Sequence, residues 1–178
     1  MSRAATAYHE AGHAVAVWHL LHKAPRRATI VPTKDSLGHV QHENPLRGIR
    51  LDIDGSDRAA LRAERVIMIC LAGPIAQKHA FPRSFRYGHA SGDNDRAVDL
   101  ALRLCGSGEM ATAYLRWLNI KTSGLVECRW PFIERVAERL LREDTLDGPT
   151  ILETILPPPQ RGKVVVSTTG ILSWQHAE

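Results

Sequence analysis

Five consecutive residues, His9-Glu10-Ala11-Gly12-His13, constrain this chain more than any other segment. They lie in a run from Ala4 to about Leu21 where Ala5, Tyr8, Ala11, Val15, Trp18 and Leu21 recur at three- and four-residue steps, the period of an α-helix. Ser2 stands where an N-cap is needed. At about 100° per residue, His9 and His13 lie about 40° apart on one helix face, so both imidazoles can reach one tetrahedral ion. Glu10 projects to one side of that pair, where its carboxylate can meet a metal-bound water without taking a coordination position. The spacing is that of the H-E-x-x-H pattern, in which two histidines hold zinc and the glutamate is the general base. With 9 His and 10 Glu among 178 residues, random order would yield it about 0.025 times per chain. Gly12 inside a helix costs about 1 kcal/mol against alanine, which points to something passing close by.

A catalytic zinc needs a third protein ligand and an open position for water. His19 falls six residues after His13, but Ala16 stands where a helix-breaking glycine would be needed, and a continuous helix turns His19 about 120° away. Glu64 lies on a later helical segment, within the charged face Leu61-Arg62-Ala63-Glu64-Arg65. Asp93 and Asp95 precede the apolar series Ala97, Leu100, Ala101, Leu104 and would diverge by about 200° if both were helical, so one can cap while the other coordinates. The expectation is that Asp93 caps and Asp95 binds the metal.

The rest of the chain reads as one globular domain. Apolar residues make up 44% and charged residues 24%, which excludes a disordered or fibrous chain, and the length buries a core without metal or disulfide staples. A formal charge of +4, spread without any basic run, gives no nucleic-acid footprint. Cys70, Cys105 and Cys128 lack C-x-x-C spacing and are expected to be reduced and mostly buried. No apolar run is long enough to cross a bilayer and no leader precedes His9, so a cytoplasmic location is expected. Short strands are expected at Ala28 to Val31 and Leu37 to His42. Helices are expected from Arg58 towards Ala80, with Pro74 as a kink or restart, and from the Asp93-Asn94-Asp95 cap into the apolar series Ala97 to Leu104. Three more should cover Gly108 to Asn119, Pro131 to Arg142 and Pro149 to Leu156. The domain is expected to span 1–156, with 157–178 a proline-initiated tail or short hairpin.

Several segments together resemble one family. Thr6-Ala7-Tyr8-His9-Glu10-Ala11-Gly12-His13-Ala14-Val15, then Ile30-Val31-Pro32 and Leu37-Gly38, are similar to the peptidase domain of FtsH-type membrane AAA proteases. Leu71-Ala72-Gly73-Pro74-Ile75-Ala76 resembles that family's glycine-alanine helix, and Ser91-Gly92-Asp93-Asn94-Asp95-Arg96-Ala97 its segment bearing an aspartate ligand. The late Leu140 to Gly148 stretch resembles its closing helix pair.

The resemblance implies an α+β, mainly α-helical zincin-like peptidase fold with a small β-sheet near the active-site helix. It also implies one zinc per chain on His9, His13 and Asp95, Glu10 as catalytic base, and unfolded protein or peptide as substrate. An edge strand at Leu37, Gly38, His39 and Val40 would bind that substrate by backbone pairing, with His39 and His42 on the substrate side. No G-x-x-x-x-G-K-[ST] loop occurs, so hydrolysis is expected without ATP. Two other readings stay open: a non-catalytic zinc-binding interaction module, and a peptidase subunit served by a separate AAA ATPase chain. A homo-oligomer is the further partner the family implies.

Overall fold

A computed structural model describes residues 2–34, 36–83 and 91–157. Residues 84–90 and the tail after Pro157 lie outside the described residues. Element order is α1 (Arg3–Leu21), β1 (Arg27–Thr29), β2 (His39–Gln41), α2 (Asp57–Ala80), α3 (Ser91–Cys105), α4 (Gly108–Cys128), α5 (Trp130–Glu143), β3 (Thr145–Asp147) and α6 (Gly148–Ile155). The fold is mainly helical with one small antiparallel sheet, as expected. Among the described residues, no helix is long and apolar enough to cross a membrane.

The periodicity of α1 predicts one apolar face, but the helix is buried nearly all round from Ala5 to Val17. Alanine, glycine and valine dominate that span, so neighbours close in from several sides. Ser2 caps it, its hydroxyl accepting from the Ala5 amide at 3.2 Å. α2 packs along one side of α1, while α5, α6 and the sheet close the other around Val15, Val136, Leu140, Leu146 and Ile151. The outer face of α2 forms a second apolar cluster with α3 and α4, built on Val66, Ile67, Ala97, Leu100, Ala101 and Leu118. Pro74 removes one amide donor from α2 without ending the helix.

β1 is central in the order β2-β1-β3, and Ala28 pairs with Val40 on one side and Leu146 on the other. β3 falls inside the stretch expected to be a helix pair; it is a three-residue strand between α5 and α6. The cysteines are free, but only Cys70 is buried; Cys128, at the end of α4, is exposed.

The object passing close to Gly12 is α2. A Cβ on Gly12 would stand 2.7 Å from the Ala72 carbonyl oxygen and 2.7 Å from the Ala76 Cβ, whereas one on Gly124 of α4 would meet nothing within 4 Å. Gly124→Ala is therefore expected to raise stability by about 0.5–1 kcal/mol through helix propensity alone. Gly12→Ala should lower it by about 1–3 kcal/mol, because crowding against backbone outweighs that gain. Urea midpoints of the two variants, at unchanged m, check the contrast; stabilisation by both would refute the close approach.

Candidate metal centre

α1 presents His9 and His13, one turn apart, to α2 and to the start of α3. Each ring is held through Nδ1. His13 Nδ1 donates to the Ile69 carbonyl at 2.7 Å, and His9 Nδ1 donates to Gln77 Oε1 at 3.0 Å. Both acceptors belong to α2, about two turns apart. With hydrogens on Nδ1, both Nε2 atoms carry lone pairs. Those atoms face each other at 3.0 Å and share one carboxylate oxygen, Asp93 Oδ2, at 3.1 Å from His9 and 3.2 Å from His13. The seam is tight: a Cβ on Gly73 would land 2.6 Å from Cδ2 of His13.

Three lone-pair atoms this close repel one another unless a cation lies among them. Ligand atoms on tetrahedral zinc, with bonds of about 2.0–2.2 Å, stand on the order of 3.3 Å apart, so this donor set fits the ion. Two imidazoles and a carboxylate are also a donor set suited to it. Without a metal, the proton takes that place. Burial works against a charged His13, but the charge and hydrogen bond of Asp93, the charge of Glu10 and the Ile69 carbonyl push its pKa up to about 9. Burial likewise opposes ionisation of Asp93, yet the two histidines hold its carboxyl well below the usual range.

Glu10 is 5% exposed and stands beside the three ligand atoms without joining them. Burial raises its pKa, and the Asp93 charge adds to this, against the lowering influence of His13 and His9. Gly38 covers its carboxylate: a Cβ there would stand 2.6 Å from Oε1 of Glu10.

Asp93, expected to cap, is the aspartate that meets the histidines. α3 starts at Ser91, so Asp93 lies within its first turn, on the side of the buried Ala97, Leu100 and Ala101. Asp95 is exposed, on the outward side with Val98 and Leu102, and does not meet the histidines. His19, in the last turn of α1, also stays apart from the cluster. Glu64 is engaged elsewhere, accepting from the Tyr114 hydroxyl at 3.0 Å and from Lys121 Nζ at 2.7 Å. Of the expected substrate positions, Gly38 is buried, Val40 half-buried, and Leu37 and His39 exposed, with β2 at the sheet edge. His42 follows β2, its Nδ1 donating to the Glu43 carbonyl at 2.7 Å. Gln77 was not anticipated; its signal is a polar residue one turn beyond Gly73 on an otherwise apolar face of α2.

The family model of Peptidase family M41 matches residues 1–113, from α1 into the first turns of α4. No curated protein matches the chain.

In chelator-treated protein, NMR titration of the His13 ring should give a pKa near 9. Asp93→Asn removes the carboxylate that favours the charged ring, so the value should fall by about 1–3 pH units. Asp95→Asn should leave it unchanged. The opposite ranking would return the coordinating role to Asp95.

Proposed function

Since the chain belongs to Peptidase family M41, a family of metallopeptidases, we propose that it is a zinc metalloendopeptidase acting on unfolded protein or peptide, with His9, His13 and Asp93 as metal ligands and Glu10 as general base. The observation that carries this reading is the convergence of three ligand atoms with a second, non-ligating carboxylate, that of Glu10, buried alongside. A purely structural metal gains nothing from such a neighbour.

When bound, zinc supplies Lewis acidity, polarising a carbonyl and bringing the pKa of water towards about 7. The chain does the rest. Glu10 takes the proton of the attacking water at its carboxylate, and burial, which raises its pKa, lets it hold that proton long enough to pass it to the leaving amine. Gly38 shields that carboxylate from bulk water and places the start of the edge strand next to the base. An extended peptide paired along Leu37 to Val40 would run past Glu10, with specificity left to side chains such as the exposed His39. Every group assembled here acts on water or a carbonyl, so hydrolysis itself is proposed to proceed without ATP.

Digestion of casein without nucleotide, together with metal analysis, tests the assignment. Wild type should cleave and carry about one zinc per chain. Glu10→Gln should keep the metal and lose activity by about 10²–10⁴-fold. Asp93→Asn should lose metal and activity together, while Asp95→Asn should lose neither. Zinc without cleavage in the wild type would favour a binding module or a subunit served by a separate ATPase chain.

A further inference from the structure

Gln77 is fully buried, among Gly73, Pro74 and Ala76 on the side of α2 that meets α1. Among the described residues its Nε2 has no hydrogen-bond partner. An amide left half-satisfied in such a place costs about 1–3 kcal/mol, and an apolar side chain of the same length would avoid that cost. What the amide provides is the 3.0 Å contact of its Oε1 with Nδ1 of His9. His13 has its counterpart in a backbone carbonyl, which no substitution of a side chain removes.

We infer that Gln77 is a positioning residue for the metal centre: its neutral acceptor fixes His9 with Nε2 towards the ion while adding no charge. The inference rests on the zinc reading above. Both histidines are then oriented by neutral oxygens, one from an amide and one from the backbone. Two neutral imidazoles and one carboxylate give a bound dication and its ligands a net charge of +1. A carboxylate at position 77 would orient the same ring and cancel that charge. The amide therefore keeps the centre more electrophilic, and the metal less tightly held, than an acidic residue would. An amide can turn either end to a ring nitrogen, whereas a carboxylate can only accept, so glutamate is the decisive variant.

Zinc dissociation constants of wild type, Gln77→Met and Gln77→Glu, measured by competition with a chromophoric chelator, test this. Methionine matches the length and unbranched shape of glutamine and fills the space without an acceptor. Gln77→Met should weaken zinc by about 10–100-fold. Thermal unfolding of its metal-free form should stay close to that of wild type, because the unpartnered Nε2 goes as the acceptor for His9 Nδ1 is lost. Gln77→Glu should bind zinc more tightly than wild type. Cobalt(II) in place of zinc reads the ligand field directly: the visible bands of Gln77→Glu should keep the wild-type pattern, and those of Gln77→Met should not. Unchanged zinc affinity in Gln77→Met, or equal weakening in both variants, overturns the inference while leaving the metal centre in place. A wild type that takes up no zinc overturns the metal reading itself.

Discussion

A short imidazole side chain on one helix can reach a carbonyl in the middle of another only where the two lie close, and the bond from His13 to the Ile69 carbonyl sets that demand on α1 and α2. Helix axes ordinarily stand about 8–10 Å apart, according to the side chains between them. Here those side chains are almost nothing: Gly12 on α1 against Ala72, Gly73 and Ala76 on α2. The glycine in the first helix costs helix propensity and is retained because α2 occupies the space a methyl group would need. From that seam the site follows. α2 orients both imidazoles, α3 docks on the far side of α2 and extends Asp93 over it, and the start of β2 closes over Glu10.

Much of the fold was legible because it is written in local chemistry. Ser2, Ser56, Ser107 and Asp147 each accept from an amide of the helix that follows, and α1, α2, α5 and α6 begin within a residue or two of where the sequence places them. α4 runs longer than expected. Thr122, Ser123 and Gly124 are poor helix formers, but Leu118, Thr122 and Val126 recur at four-residue steps and are buried, and tertiary packing overrides the weak propensity. β3 was not legible: three residues offer too little alternation to register, and Leu146 is in a strand only because Ala28 is there to pair with it.

The site was legible in its first helix and less so in its third. Read as a cap, Asp93 sits outside α3 and the outward Asp95 inherits the metal. The helical phase of the same segment points the other way. Ala97, Leu100, Ala101 and Leu104 lie four, seven, eight and eleven residues after Asp93, which is the spacing of one face. The residue that shares a face with the apolar stripe is the one that points to the core, and the core side is where the histidines are. Capping chemistry and helical phase were both present in the sequence, and phase prevailed because α3 begins two residues before the first aspartate.

His9, Glu10 and His13 are all nearly out of contact with water, and Asp93 reaches them with its side chain 31% exposed. Two carboxylates and two imidazoles grouped this way are costly to desolvate, and they repay that cost only when positive charge lies among them. On the proposed metal reading, the cation is part of how the helices are joined. α3 packs on α2 and α4 through apolar residues, while towards α1 it offers the oxygen of Asp93. A metal held by that oxygen and by both rings would tie the start of α3 to the buried helix. Its binding free energy would then contribute to the docking of α3 as well as to the proposed chemistry of the site.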